Sequence, residues 1–198
     1  SNHRTLKREE KLTLRIELGL PESGKLFIWS GPFIPRKMPE IAIKTFNLLQ
    51  ANSDFVLCLL GDGPLHESCM RASNSKRIIF KGHVNNVNKH LEAADGFIST
   101  SRSEGMPNSV LESLAHGVPV ILSDIPSHKE ILSYSNDAGT LYPVGDAKKL
   151  TDVIKNSEFR PNNSDAAKNI ITEHLNSETM STNYQNLYSQ LVDHSANT

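Results

Sequence analysis

The sequence predicts an α/β fold, a doubly wound parallel sheet of Rossmann-like type with extra helices after its last strand. Three observations predict it. Six short apolar runs recur along the chain, and most are continuous rather than alternating, the pattern of strands covered on both faces. Amphipathic stretches of helical period separate the runs, and strand–helix alternation of this kind builds parallel sheets with right-handed crossovers. After Tyr142 the alternation stops, and helical stretches follow one another with no strand between them.

Taken in order, residues 5–18 read as a charged helix that Gly19 closes, with Pro21 just beyond it. Strands are expected at 25–30 (KLFIWS), 55–60 (FVLCLL), 78–81 (IIFK), 96–99 (GFIS), 118–122 (VPVIL) and 139–142 (GTLY). The intervening helices are expected at 38–49, 65–72, 87–94, 107–116 and 127–132; in the first, Ala42, Phe46 and Leu49 form one stripe. Helices at 148–155, 165–175 and 177–192 complete the chain, with Arg160 to Ser164 read as a turn capping the second of these. The organisation expected is therefore an entry helix and linker over 1–24, a Rossmann-like domain over 25–160 and C-terminal helices over 161–198.

Composition narrows the class. The chain has 198 residues, 37% hydrophobic and 22% charged, enough for one domain with a real core. A net charge of −1 gives no global field for nucleic acid or anionic lipid. The two cysteines form neither a disulfide framework nor a zinc spacing, and Cys58 sits in an apolar run as a small hydrophobe. This usage fits a reducing, cytoplasmic setting. The Asn162-Asn163-Ser164 sequon carries little weight, and no run approaches the ~20 apolar residues of a membrane span. The opening Ser1-Asn2 has the look of a tag-cleavage scar, so the expectation is a piece of a longer chain.

Two glycine motifs are decoys on sequence grounds. Gly19-x4-Gly24-Lys25 imitates a phosphate-binding loop, but Leu26 stands where a magnesium-binding hydroxyl is needed, and the stretch precedes a strand. Gly61-Asp62-Gly63 follows a strand, yet His66 takes the place of the third glycine of a dinucleotide fingerprint. It reads as a tight turn at a strand's carboxyl end, where open α/β sheets bind ligands.

Two other loops carry more chemistry. Ser30 to Lys37 joins the first strand to the first internal helix and brings Gly31, Arg36 and Lys37 together. Cations oppose the positive end of a helix dipole, so a bound anion would account for them; a solvated charged loop is the other reading. Ser101 to Glu112 enters a helix from a strand, with Gly105 free for close approach and first-turn amides for a phosphate. Glu104 and Glu112 flank that seat and suit sugar hydroxyls. Ser109-x-x-Glu112 is also a formal capping box, which leaves a purely structural role open.

Glu104-x7-Glu112, within Ser-Glu-Gly-Met-Pro-Asn-Ser-Val-Leu-Glu-Ser-Leu-Ala-His-Gly-Val-Pro-Val, resembles the signature of retaining GT-B glycosyltransferases of family four, the glycosyl transferases group 1. Leu18 to Pro21, Gly31…Lys37, Gly61 to Pro64, Phe80 to Val84, Pro126 to Glu130, Gly139 to Asp146 and the tail from His174 through Tyr188 follow in family order. The resemblance runs from about Arg15 to Leu191 and implies the C-terminal, donor-binding half of a GT-B fold. It implies that Glu104 contacts the donor sugar and Glu112 the ribose, while Gly105, Met106, Asn108 and Ser109 turn backbone amides to the diphosphate and sugar; Pro107 has none to give. Gly31, Gly61 and Gly63 would line the donor site, Lys37 would pair with the diphosphate, and His83 and Val84 would receive the base. Glu104 and Lys37 would act in catalysis.

The implied reaction moves a sugar from a nucleotide-diphosphate donor, UDP-linked by the Met-Pro-Asn variant, to an acceptor hydroxyl with retention. The product would be a cell-surface polysaccharide or glycolipid. The resemblance implies no metal or other cofactor, and the lack of an Asp-x-Asp pair in the chain agrees with that. The implied partner is an N-terminal acceptor domain of the same protein, and the full-length enzyme would associate peripherally with the inner face of the membrane. The isolated domain is expected to be inactive. A non-catalytic nucleotide-sugar-binding module and a GT-B epimerase or phosphorylase are the alternatives. One departure stands out: Pro32 occupies the place of a family arginine, and Arg36 is the candidate replacement.

Overall fold

The computed structural model describes residues 6–49, 54–157 and 161–175. Helix α1 (Arg8–Glu17) leads into strand β1 (Lys25–Ser30) and helix α2 (Pro39–Leu48). Strand β2 (Phe55–Leu60), α3 (His66–Ala72), β3 (Ile78–Gly82) and α4 (Val87–Ala93) follow. The second half runs β4 (Gly96–Ser99), α5 (Asn108–Ala115), β5 (Val120–Ser123), α6 (Pro126–Ser133), β6 (Gly139–Tyr142), α7 (Ala147–Asn156) and α8 (Pro161–Asn169). All neighbouring strands are parallel, in the order β3-β2-β1-β4-β5-β6. This is the doubly wound α/β sheet that the apolar runs predict.

The continuous runs are explained by where alternate residues go. In β1, Leu26 and Ile28 join one core layer with Leu14, Leu91, Val110 and Leu114 from α1, α4 and α5. Phe27 and Trp29 join the opposite layer with Phe46, Leu150 and Ile154 from α2 and α7. Each such side chain contributes about 1.5–3 kcal/mol on burial, so neither face of the strand tolerates a polar residue. Cys58 lies fully inside, and burial pushes its thiol up to about 12, which leaves it inert.

Several expected boundaries move for identifiable reasons. Strand β5 begins at Val120 rather than at 118, since Pro119 has no N–H for a ladder and contributes only its carbonyl, to Phe97 N at 2.9 Å. In the turn expected at Arg160 to Ser164, Arg160 lies outside the described residues and the rest is helix: α8 runs over Pro161–Asn169, and proline suits a first helical turn. Ile170–His174 continues it as a single wider π turn. The helix expected at 177–192 lies outside the described residues. Gly24, in the phosphate-loop decoy, is a turn glycine at φ 92° whose Cβ would sit 2.5 Å from the Asp54 carbonyl. Among the described residues no helix is long and apolar enough to cross a membrane.

Candidate functional site

The strand order reverses between β1 and β4: the chain winds outward through β2 and β3, then returns to build β4, β5 and β6 on the other side. The loops leaving β1 and β4 therefore diverge and open a crevice at their carboxyl ends, the position where open α/β sheets bind ligands. The loop from β1 carries Gly31, Arg36 and Lys37, and the loop from β4 carries Glu104 to Pro107. The two segments with the strongest sequence signals thus meet across the switch point.

Glu104 is the centre of that meeting. Its side chain is only 5% exposed, and Lys37 Nζ lies 2.6 Å from Oε1 while Arg36 Nη1 lies 2.5 Å from Oε2. Ser101 Oγ donates to Oε1 at 2.6 Å, and Arg36 Nη1 also reaches the Ser103 carbonyl at 2.9 Å. Burial alone would push the Glu104 carboxyl up; hydrogen bonds from Lys37, Ser101 and Arg36 and the Lys37 charge outweigh it and hold the group below its ordinary range. The anion that the misplaced cations call for is supplied, in this structure, by the protein itself.

Backbone bonds fix this geometry. Thr100 Oγ1 donates to the Lys37 carbonyl at 2.7 Å and accepts from Trp29 Nε1 at 3.0 Å, and Arg102 N donates to the Arg36 carbonyl at 2.9 Å. On the far side Ser123 Oγ donates to the Ser101 carbonyl at 2.5 Å, and the fully buried His128 holds the Ser123 carbonyl through Nδ1 at 2.8 Å. Burial pushes the His128 imidazole down, so it is neutral at neutral pH. Trp29 is buried beneath the loops and meets them through Thr100 and through an edge-on contact with the Phe33 ring at 5.0 Å. Sequence reading missed Thr100, Ser101 and Ser123, whose roles depend on strands far apart in the chain, and Met38, whose role is in its own backbone conformation.

Met38 holds the α2 N-cap position with φ 48° and ψ 50°, the only described non-glycine residue in the left-handed region. The conformation turns the chain sharply after Lys37, and costs of order 1 kcal/mol for an ordinary side chain. Met38→Val, which adds β-branching there, is expected to lose at least about 1 kcal/mol more stability than Met38→Asn, as urea denaturation would measure.

The remaining site residues fall into two groups. Gly31, Pro32, Gly61, Asp62, His83 and Val84 line a cleft of ≈ 370 Å³ beside the crevice. Gly61 and Gly63 are needed there for loop packing: a Cβ would come 2.0 Å from the Gly31 carbonyl and 2.9 Å from Phe33 backbone, respectively. Gly105 is different, with ordinary backbone and nothing within 4 Å of an added Cβ. Met106 is 58% exposed next to it.

At the entrance to α5, the amides of Gly105, Met106 and Ser109 donate to no backbone acceptor among the described residues. Asn108 departs from expectation, because its amide is taken by the Met106 carbonyl at 3.0 Å. The capping box is also corrected. Pro107 is the N-cap of α5, so Ser109 lies inside the helix and its carbonyl accepts from Ser113 Oγ at 2.6 Å. Glu112 is exposed on the helix, with no side-chain partner among the described residues.

Comparison with known proteins identifies the family. The family model for glycosyl transferases group 1 matches residues 24–157, and the chain belongs to that family. It is 29% identical over 185 residues to N-acetyl-alpha-D-glucosaminyl L-malate synthase of Bacillus anthracis, covering 88% of this chain and 48% of that protein. It is 30% identical over 147 residues to an Escherichia coli UDP-Gal:alpha-D-GlcNAc-diphosphoundecaprenol alpha-1,3-galactosyltransferase, covering 69% of this chain and 37% of that protein. The chain therefore spans about half the length, or less, of these relatives.

Among solved structures, Anabaena Alr3699/HepE in complex with UDP and glucose superposes with a TM-score of 0.76 at 18% identity, over 93% of this chain and 53% of that one. The glycosyltransferase WaaG, involved in lipopolysaccharide biosynthesis, gives 0.73 at 18% identity, over 89% and 50%. At these identities the likeness establishes the fold alone, a Rossmann-like α/β domain of the kind found in those glycosyltransferase structures.

Proposed function

We propose that this chain is the donor-binding half of a retaining glycosyltransferase that moves a sugar from a nucleotide-diphosphate donor, UDP-linked, to an acceptor hydroxyl. The setting is cell-surface polysaccharide or glycolipid synthesis in the cytoplasm, with an acceptor domain elsewhere in the same protein. One observation carries the reading: two cations and a buried carboxylate converge at the switch-point crevice, directly beside a cleft of ≈ 370 Å³. The Escherichia coli relative, named for a UDP-Gal substrate, supports the choice of donor, as does the UDP in the Anabaena structure.

In this reading His83 and Val84 receive the base in the cleft and the free Glu112 carboxylate accepts from the ribose. The unpaired amides of Gly105, Met106 and Ser109, with Lys37 and Arg36, hold the diphosphate, and Glu104 accepts from sugar hydroxyls. As the bond from the anomeric carbon to the phosphate oxygen breaks, negative charge grows on the leaving diphosphate. Lys37 and Arg36 stabilise that charge, a contribution that strengthens in the transition state. Arg36 supplies the cation that Pro32 does not. The chain by itself is expected to bind donor and to transfer nothing.

Thermal unfolding against UDP, GDP, ADP, TDP and their sugar derivatives tests this. A ligand at about 100 times its Kd stabilises by about 2.7 kcal/mol, a rise of roughly 5–10 °C for a chain of this size. The expectation is a rise with UDP and its sugars above the rest. No rise with any of the panel would overturn the donor-binding reading.

A further inference from the structure

We infer that Glu104 sets this site's preference for a nucleotide sugar over a bare nucleoside diphosphate, by competing as an internal anion for Arg36 and Lys37. The inference rests on the donor-binding reading above and adds to it a way of discriminating donor from product.

The charge arrangement carries it. Because Pro32 contributes no cation, both cations of the crevice come from one dipeptide, and both lie on the same carboxylate. Arg36 and Lys37 precede the ten-residue α2, whose dipole repels them, so their electrostatic satisfaction falls to Glu104. That carboxylate is 5% exposed and accepts three hydrogen bonds, from Ser101, Lys37 and Arg36. Arg36 is 44% exposed and so is able to turn toward a ligand, while Lys37 is 13% exposed and flanked by Gly31.

A diphosphate that takes these cations leaves Glu104 in a water-poor position with Ser101 as its remaining donor and a second anion beside it. Sugar hydroxyls would replace the lost donors; a bare diphosphate brings none. The penalty therefore falls on the product more than on the donor. Once the sugar has left, the carboxylate recaptures Arg36 and Lys37 and displaces the nucleoside diphosphate. No covalent bond changes in this exchange, only hydrogen-bond and ion-pair partners.

Calorimetric titration of this chain with inorganic pyrophosphate, UDP and UDP-glucose tests the competition. Glu104→Gln keeps the shape and removes the charge. It is expected to tighten pyrophosphate and UDP by about tenfold, the scale set by removing one like charge a few ångströms from an anion. UDP-glucose is expected to tighten less or to weaken. Arg36→Ala, at a more exposed position, provides a second reading: it should cost more pyrophosphate affinity in the Gln background than in the parent, where Arg36 is already engaged.

Pyrophosphate that binds the parent and is not tightened by Glu104→Gln, or a gain shared equally by UDP-glucose, would overturn the competition while leaving the donor site standing. If no form binds pyrophosphate or UDP, the donor-binding reading itself fails.

Discussion

Gly61→Ala is expected to destabilise the domain by about 3 kcal/mol or more and to abolish nucleotide binding with it. Gly61 has φ 129°, which side-chain-bearing residues rarely adopt, and an added Cβ would stand 2.0 Å from the Gly31 carbonyl oxygen. The obstacle is backbone rather than a flexible side-chain tip, so relief requires moving a loop. That loop is held: Gly31 N bonds the Leu60 carbonyl at 3.0 Å, Gly61 N bonds the Gly82 carbonyl at 2.7 Å, and Phe33 N bonds the Asp62 carbonyl at 2.9 Å. Steric strain and lost bonds together place the change among the severe single substitutions. Urea denaturation should show a lower midpoint at unchanged slope. Gly105→Ala is the contrast, expected within about 0.5 kcal/mol of the parent because its Cβ meets open space. A parent-like midpoint for Gly61→Ala would contradict the loop packing described.

Lys37→Met is expected to weaken nucleoside diphosphate binding by about 10- to 100-fold, the range of one lost charge-assisted hydrogen bond. The same change costs stability, about 2 kcal/mol at neutral pH, because Glu104 is left with fewer partners at 5% exposure. The sign with pH follows from the depressed carboxyl. Glu104 ionises more easily folded than unfolded, so its contribution is fully present above the ordinary glutamate value of about 4.3. It is lost as the pH falls through the lower folded-state value. The stability gap between parent and Lys37→Met should therefore be widest above about pH 5 and close in stronger acid. Denaturation midpoints measured down to pH 3 would show it; a gap that widens in acid would mean that Lys37 acts elsewhere.

What could be read from the sequence was local. The runs at 25–30, 55–60, 96–99 and 139–142 became strands with those bounds, since each stores its double-sided burial in its own composition. Strand order left no such trace. That β1 and β4 are neighbours depends on packing over the whole sheet, and it decides that the Arg36 loop meets the Glu104 loop 68 residues away. Glu104, Lys37 and Glu112 stood out by residue type and motif, whereas their partners did not. Ser101 and Thr100 are ordinary hydroxyl residues until Ser123, Trp29 and Lys37 are placed around them. The proline and capping corrections have one cause: missing or redirected N–H groups at Pro107 and Pro119 moved element starts by one or two residues.

The bonds that join the loop of β1 to those of β2 and β4 have a consequence for how quickly and how cheaply a ligand is received. Segments fastened to one another through main-chain atoms cannot flap independently, so association requires little ordering of the polypeptide. The entropy lost on complex formation is then mostly that of the guest and of a few long side chains such as Arg36. A receptor of this kind behaves as a preformed mould, and affinity among its guests is decided chiefly by how long each one stays.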